Sequence, residues 1–165
     1  MFSGKSSALV RKIRRLKSIK KKCAIVNHDY DTRCNEEIKT HANDYIEAIK
    51  LSTLDSFTTW EQYDVIAIDE SQFFPDIVKN VKKFLKQGKQ VIAAGLSGDF
   101  NGKPFENISQ LISIADNLHF TKALCIHCKD GTPAIFSKRK TKNHQRILSG
   151  AGDVYEPVCR VHFSI

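Results

Sequence analysis

The chain lacks any hydrophobic run long enough to cross a membrane. Its longest uninterrupted aliphatic runs, residues 65–68 and 91–94, are far shorter than the ~20 apolar residues that a spanning helix needs. A charged segment followed by an apolar one, the pattern of a secretory signal peptide, does not open the chain. These absences argue against a membrane protein and against a secreted disulfide scaffold. We therefore expect a soluble intracellular domain without a membrane partner.

Internal repeats, low-complexity tracts and Pro/Gly-rich linkers are lacking as well. The chain has 165 residues, the size of one domain, and 41% of them are hydrophobic. A chain of this size and composition is too apolar to be disordered, and it buries a core without disulfide bonds.

Positive charge is in excess and is unevenly placed. The formal net charge is +8, and eight of the basic residues lie between Arg11 and Lys22. Such an excess attracts nucleic acid, nucleotides or other phosphate groups. Leu9, Ile13 and Leu16 recur at helical spacing within this region, which indicates a helix with one buried stripe and a solvated basic face. A basic run alone does not indicate DNA binding.

Predicted strands alternate with predicted helices, which favours a parallel sheet with helices on its faces. We expect a helix over residues 6–21, strands over 23–28 and 45–51, a short helix before Glu61, a buried strand over 63–69, a helix over 77–85 that stops at Gly88, a strand over 90–96, a helix over 108–115 and a strand over 118–125. The composition changes at Cys125. We therefore predict an α/β domain over residues 1–124 and a smaller second lobe over 125–165.

Residues 3–6 read Ser-Gly-Lys-Ser, the second half of the phosphate-loop motif G-x-x-x-x-G-K-[ST]. Gly4 lets backbone N–H groups close on phosphate, Lys5 reaches the β- and γ-phosphate oxygens, and the Ser6 hydroxyl holds Mg²⁺. The predicted helix behind the motif adds its positive end. The first glycine of the motif would precede Met1, so we expect this sequence to begin inside its own phosphate loop.

Two carboxylates, Asp69 and Glu70, follow an apolar run at residues 65–68. In P-loop enzymes an Asp at such a strand end assists Mg²⁺, and a neighbouring acid can take a proton from the nucleophile. The alternative is an ordinary strand followed by an acidic turn. The Gly-Lys-Ser motif upstream favours the catalytic interpretation.

Two ligand pairs near the C-terminus have the spacing of a tetrahedral zinc site. They are Cys125 with Cys128, and Cys159 with His162. Four protein ligands close the site, so the predicted zinc is structural. His127 lies between the first two ligands and is expected outside the ligand set, and Cys23 and Cys34 are interpreted as ordinary thiols.

Together these motifs resemble the type II thymidine kinases of cells and poxviruses. The carrying segments are residues 1–6, 31–33, 69–78 (Asp-Glu-Ser-Gln-Phe-Phe-Pro-Asp-Ile-Val), 95–105, 137–139 and 150–155, together with the four metal ligands. They run in order over almost the whole chain. The resemblance implies an ATP-dependent thymidine kinase for nucleotide salvage and DNA precursor synthesis. It also implies a RecA-like P-loop sheet and a zinc lobe with a lasso-like substrate loop.

The resemblance also assigns site residues. Glu70 would be the general base that accepts the proton of the nucleoside 5′-hydroxyl. ATP and Mg²⁺ would be bound by Met1, Phe2, Ser3, Gly4, Lys5, Ser6, Asp31, Thr32, Arg33, Asp69 and Gln72. Thymidine would be bound by Phe73, Leu96, Phe100, Phe105, Ser137, Arg146, Ile147, Leu148, Ser149, Gly150 and Tyr155. Among these, Phe100 would stack on the base and the backbone of residues 146–150 would read its edge, with zinc anchoring that loop.

Several positions depart from the family pattern. Ser71 stands in place of a usual Gly, Gly102 in place of an Arg, and the run Leu-Ser-Gly-Asp at residues 96–99 in place of Leu-Asp-Gly-Thr. Arg146 is charged at a position where the family usually has an apolar residue. The segment between Cys128 and Ser137 is two residues longer than in the vertebrate and poxvirus enzymes. These departures bear on nucleoside selectivity and catalytic strength rather than on the fold.

The family further implies a cytoplasmic homotetramer that is inhibited by thymidine triphosphate (dTTP). Two other functions stay open at this point. One is a P-loop, zinc-ribbon ATPase that binds nucleic acid through residues 11–22, and the other is an inactive kinase remnant. We expect no stable nucleic-acid partner, because one side of the basic helix should pack on the sheet.

Overall fold

The computed structural model describes residues 1–31, 37–39, 45–143, 145–146, 148 and 152–163. The chain forms two compact units. The first unit is Lys5–Gly95, and the second combines Met1–Gly4 with Leu96–Ile165. No helix in the described part of the chain is both long and apolar enough to cross a membrane.

The first unit is an α/β layer built on a four-stranded parallel sheet. Its elements are α1 (Lys5–Ser18), β1 (Cys23–His28), β2 (Glu37–Lys39), β3 (Tyr45–Glu47), β4 (Ile49–Leu51), β5 (Val65–Ile68), α2 (Ile77–Lys86) and β6 (Gln90–Ala93). The parallel sheet has the order β4-β1-β5-β6, while β2 and β3 pair antiparallel. Cys23 pairs with Val65, and Val65 pairs with Gln90. The predicted α/β class is thereby confirmed.

The core of this unit lies between α1 and the sheet. Leu9, Val10 and Ile13 of α1 pack with Ile25 and Ala67. Neighbouring side chains along a strand point to opposite faces. The other face carries Ala24, Val26, Ile66 and Ile68, which are buried too. Strands covered on both faces read as continuous apolar runs, which explains why β1 and β5 are recognisable in the sequence.

The predicted buried stripe on α1 is confirmed, and the basic side chains of residues 11–22 are all exposed. The helix ends at Ser18, three residues before the predicted end. Lys20 adopts the left-handed conformation, with φ of 62°, which ends the helical hydrogen-bond pattern.

Other element boundaries also differ from the predictions. The strand expected over residues 45–51 is divided at Ala48 into β3 and β4, and the short helix before Glu61 is a pair of 3₁₀ turns, Leu54–Ser56 and Trp60–Gln62. The predicted strands over 63–69 and 90–96 shorten to β5 and β6, and the predicted helix over 108–115 lies at Glu106–Ile112. The strand expected over residues 118–125 is only Ala123–Leu124, because it pairs with just two residues of its partner strand.

The second unit contains short antiparallel pairs. Its elements are α3 (Glu106–Ile112), β7 (Ala123–Leu124), β8 (Pro133–Ala134), β9 (Phe136–Arg139), β10 (Tyr155–Val158) and α4 (Arg160–Phe163). Strand β7 pairs with β8, and β9 pairs with β10. Its small core includes Val158 and Cys159, and the rings of Phe136 and Phe163 stack beside it with centroids 4.2 Å apart.

Candidate active site and metal centre

Two carboxylates lie at the carboxyl end of β5, an interior strand of the parallel sheet. Asp69 is fully buried and Glu70 is 8% exposed. The Asp69 N–H donates to the carbonyl of Val26 on β1, which extends the pairing of the two strands by one bond. Ligand sites in open parallel sheets form at this edge, because the loops that follow the strands converge there.

The first turn of α1 approaches these carboxylates. Lys5 Nζ lies 3.2 Å from Asp69 Oδ1 and 3.2 Å from Glu70 Oε1, while Ser6 Oγ donates to Asp69 Oδ2 at 2.7 Å. Gly4, just before the helix, has φ of +74°, a conformation that favours glycine. The structure therefore brings together four residues that the sequence predicted for one site.

Electrostatics keep Lys5 charged. Burial by itself lowers the pKa of the ammonium, but attraction to Asp69 and Glu70, with hydrogen bonds to both, raises it above its usual value. One ammonium then faces two carboxylates, leaving one negative charge in excess. Hydroxyl and carboxylate oxygens are the ligands that Mg²⁺ prefers, so Ser6 and Asp69 fit that ion.

Both carboxylate oxygens of Glu70 have partners. Gln72 Nε2 donates to Oε2 at 2.6 Å, while Oε1 faces Lys5. The Glu70 backbone lies in the left-handed region, with φ of 49° and ψ of 40°. A non-glycine residue in this conformation is uncommon and clusters at functional sites. The backbone thus turns sharply at the strand end, and the side chain is fixed on two sides.

Two further predicted residues of this unit, Asp31 and Phe73, have defined partners. The Asp31 carboxylate accepts a hydrogen bond from Asn27 Nδ2 at 2.9 Å. The ring of Phe73 contacts Tyr30 and the buried His28, with centroid distances of 5.9 and 5.8 Å. Thr32 and Arg33 lie outside the described residues.

Several predicted nucleoside contacts are placed in the second unit. Phe100 has the guanidinium of Arg139 over its ring, with the guanidinium carbon 3.7 Å from the ring centroid. Phe105 is 7% exposed and precedes α3, and Leu96 is partly buried. Arg139 belongs to the Ser-Lys-Arg segment of the family resemblance, but it was not predicted as a site residue.

Arg139 also forms hydrogen bonds to the segment that follows it. Its guanidinium donates to the carbonyls of Asn143 and Gln145 and, at 2.5 Å, to the Tyr155 hydroxyl. The Tyr155 hydroxyl donates onward to the Leu148 carbonyl at 3.1 Å. Two side chains from the paired strands β9 and β10 therefore hold described parts of the predicted base-reading loop. Ile147, Ser149 and Gly150 lie outside the described residues.

The first residues of the chain contact the same unit. The Met1 nitrogen donates to Ser137 Oγ at 2.7 Å, and Thr121 Oγ1 donates to Ser3 Oγ at 2.8 Å. A Cβ added to Gly152 would lie 3.6 Å from the ring of Phe2, so that ring lies directly against the glycine.

The predicted metal ligands meet in one cluster. One potential ligand atom from each of Cys125, Cys128, Cys159 and His162 lies within 4.8 Å of the others. The Cys128 and Cys159 sulfurs are 3.7 Å apart, and His162 Nδ1 lies 3.3 Å from Cys159 Sγ. Metal–sulfur bonds of about 2.3 Å and metal–nitrogen bonds of about 2.0 Å in a tetrahedron give separations of about 3.5–3.8 Å. These residues could hold one metal ion.

The pKa values of Cys125 and Cys128 are shifted in opposite directions. Burial raises the pKa of Cys125, but hydrogen bonds from the backbone of Cys159, Cys128 and His127 lower it to about 6. Burial and the neighbouring cysteines raise the pKa of Cys128 to about 11. His127 is exposed, as expected for a residue outside the ligand set, and its Nε2 lies 3.0 Å from Glu156 Oε1.

The whole chain resembles one protein family. The family model described as thymidine kinase matches residues 1–163. The chain belongs to the thymidine kinase family. It is 40% identical to the thymidine kinase of Myxoma virus (strain Uriarra) over 97% of this chain and 89% of that protein. Thymidine kinase 1 of Dictyostelium discoideum is 40% identical over 97% of this chain and 72% of its own length. Thymidine kinase of Vaccinia virus (strain Ankara) is 38% identical over 97% and 90%.

These matches confirm the predicted membership of the thymidine kinase family and the predicted enzyme class, a phosphotransferase.

Proposed function

We propose that the chain transfers the γ-phosphoryl group of ATP to the 5′-hydroxyl of deoxythymidine, giving thymidine monophosphate. The observation that carries this proposal is the convergence of Lys5 and Ser6 on Asp69 and Glu70 in a member of the thymidine kinase family. Phosphoryl transfer depends on positioning and on charge neutralisation more than on covalent chemistry. The four residues supply a cation, a hydroxyl group and two carboxylates for these tasks.

The triphosphate is bound at residues 1–6, the phosphate loop of a RecA-like P-loop sheet. The positive φ of Gly4 lets the backbone turn into α1, whose first N–H groups have no partner within the helix. Lys5 then contacts the β- and γ-phosphates instead of the carboxylates. Asp31, Thr32, Arg33 and Gln72 complete the nucleotide contacts, as the resemblance implies.

Ser6 and Asp69 hold Mg²⁺, since their oxygens already lie 2.7 Å apart. Held by these two residues, Mg²⁺ would supply positive charge to neutralise the transferring phosphoryl group. Neither residue has another assigned role in the reaction.

Glu70 accepts the proton of the 5′-hydroxyl. Its carboxylate is nearly buried, and Gln72 holds one oxygen in place. The other oxygen faces Lys5, and it becomes available when Lys5 turns to the phosphates. A carboxylate held in a fixed position meets the geometric requirement for a general base.

The nucleoside is recognised in the second unit. Phe100 stacks on thymine beside Leu96 and Phe105, and the backbone of residues 146–150 reads the base edge. Two hydrogen bonds favour a fixed loop: Tyr155 donates to the Leu148 carbonyl, and Arg139 donates to Tyr155. Phe73, Ser137 and Tyr155 are further substrate contacts in this proposal.

Cys125, Cys128, Cys159 and His162 would hold one zinc ion, and it would supply an anchor for the end of β10, because Cys159 directly follows Val158. The family resemblance alone carries the proposed division into a nucleotide-binding region over residues 1–124 and a zinc-binding region with a lasso-like loop over 125–165. A metal with four protein ligands has no open position for catalysis, so its role is structural.

Feedback inhibition by dTTP follows from the same assignments, because dTTP carries both the thymine base and a triphosphate. The cytoplasmic location and the homotetramer are proposed on the family resemblance alone.

A kinase assay tests the proposal. The purified full-length protein is incubated with radiolabelled thymidine and Mg-ATP, with deoxycytidine as the control nucleoside. We expect labelled thymidine monophosphate and much less product from deoxycytidine. A folded, zinc-loaded protein that forms no product would be an inactive remnant. ATP hydrolysis that rises with added DNA would instead favour the nucleic-acid-dependent ATPase.

A further inference from the structure

The carboxylate of Asp99 is the centre of a buried polar cluster in the second unit. Its side chain is only 2% exposed. Oδ1 accepts hydrogen bonds from the backbone N–H groups of Asn101 and Lys103, at 2.9 and 3.0 Å. Oδ2 accepts one from Arg146 Nε at 3.0 Å. Asp99 therefore shapes the turn at residues 99–103 with one oxygen and binds a distant arginine with the other.

The guanidinium of Arg146 lies along the same segment. Its Nη2 donates to the Pro104 carbonyl at 2.7 Å and lies 3.5 Å from Glu106 Oε2. The guanidinium carbon lies 5.2 Å from the centroid of the Phe105 ring. One arginine side chain thus contacts the turn, the aromatic residue after it and the start of α3.

The two residues join the two parts of the proposed nucleoside site. Asp99 immediately precedes Phe100, and Phe105 follows the same turn. Arg146 begins the proposed base-reading segment, residues 146–150. The Arg146 side chain is 44% exposed, so a nearly buried carboxylate meets a charged donor that stays partly in solvent. A buried carboxylate is costly unless it is satisfied, and charge-assisted hydrogen bonds are stronger than neutral ones.

We propose that Asp99 and Arg146 form a latch that holds the start of the base-reading loop against the turn carrying Phe100. Both are positioning residues, because they act through the loop and the turn. The latch rests on the proposed function, and it makes thymidine affinity in this chain depend on a charge pair. ATP contacts lie elsewhere in the proposal, so ATP affinity does not depend on it.

The test compares Arg146→Met, Asp99→Asn and the double variant with the parent protein. Asp99→Asn keeps an oxygen that can accept from Asn101 and Lys103 while removing the charge that binds Arg146. Glu106→Gln is the matched control, because its side chain is 70% exposed and its contact with Arg146 is longer. Arg146→Lys serves as the conservative variant.

We expect each single variant to raise the KM and the directly titrated Kd for thymidine about tenfold, with kcat and the KM for ATP changed less than about twofold. The loss of thymidine affinity in the double variant should be clearly smaller than the sum of the two single losses, because both single variants remove the contact between Asp99 and Arg146, while Arg146→Met also removes the donor to the Pro104 carbonyl. Arg146→Lys should restore part of the affinity, and Glu106→Gln should match the parent.

Amide hydrogen exchange supplies a readout without substrate. Arg146→Met should speed exchange in residues 140–154 while leaving β5 unchanged. Unchanged exchange, or additive losses of thymidine affinity, would overturn the latch. If the parent binds no thymidine, the proposed function fails, and the exchange measurement still decides whether the latch exists.

Discussion

Lys5 Nζ lies 3.2 Å from Glu70 Oε1, so the residue proposed to bind phosphate is paired with the residue proposed to take the proton. In this nearly buried position, the Lys5 ammonium and the Glu70 carboxylate neutralise each other's charge. A triphosphate carries more negative charge than one carboxylate, so its arrival draws Lys5 away. Under the proposed assignments, nucleotide binding at Lys5 would therefore break the contact between Lys5 and Glu70.

Replacing Glu70 with Gln should lower kcat about 10²- to 10⁴-fold, the range expected for loss of a general base. Thymidine affinity should stay close to that of the parent, because the amide keeps the size of the side chain. Single-turnover phosphorylation and a thymidine titration without ATP measure the two quantities separately.

The exposed Glu61 supplies the control for that variant, and Glu61→Gln should leave kcat unchanged. A large loss of thymidine affinity in Glu70→Gln, with little change in the chemical step, would make Glu70 a binding residue instead.

Replacing Phe100 with Ala should weaken thymidine binding by ~1–3 kcal/mol, the value of a base–aromatic stack. Phe100→Leu keeps apolar bulk but no aromatic face, and it should show most of the same loss. Phe120 is 68% exposed in the same unit, so Phe120→Ala is the matched control. Steady-state KM values for thymidine and ATP distinguish the variants, and an equal rise in both KM values would argue against stacking.

The parallel sheet could be predicted because its interior strands are recognisable in the sequence. The first four residues of β1 and all residues of β5 form continuous apolar runs, and α2 carries buried side chains at helical spacing. Short elements were harder to predict. Residues 118–122 look strand-like by composition, but pairing across two residues supports only Ala123–Leu124 as a strand.

Some residues of the predicted site could likewise be identified from the sequence, and others could not. Lys5, Asp69 and Glu70 were predictable, because each belongs to a local motif at a helix start or a strand end. The bond from Arg146 to Asp99 joins residues 47 positions apart, and no spacing rule connects them. Arg139 was overlooked for the same reason: its partners are a ring and several backbone carbonyls that only the folded chain brings together.

Replacing Cys159 with Ser should remove the metal and lower the melting temperature by at least ~5 °C, which corresponds to about 2 kcal/mol in a chain of this size. Structural zinc sites contribute directly to folding free energy. Elemental analysis and calorimetry measure the two effects. Cys23 lies outside the cluster, so Cys23→Ser should keep the metal and the melting temperature. Full metal content in Cys159→Ser would contradict the ligand assignment.

Stability below pH 6.5 should depend on His28, which is 4% exposed. Burial lowers its pKa from 6.5, and Lys50 lowers it further, while Asp29, Asp76 and a hydrogen bond to the Ser52 carbonyl only partly oppose these effects. Its Nδ1 accepts the Tyr30 N–H at 3.0 Å, a bond that protonation of Nδ1 would break. The neutral ring is therefore the form that the fold requires.

The unfolded chain binds the His28 proton first as the pH falls. The stability due to the neutral ring is therefore complete above pH 6.5, and it declines as the pH falls toward the lowered native pKa, by at most ~1.4 kcal/mol per pH unit. Urea unfolding at pH 7.5 and 5.5 measures this loss. His28→Gln should shrink the difference between the two pH values, whereas His119→Gln, at an exposed position, should retain it. An equal pH dependence in the parent and in His28→Gln would show that other groups cause the acid sensitivity.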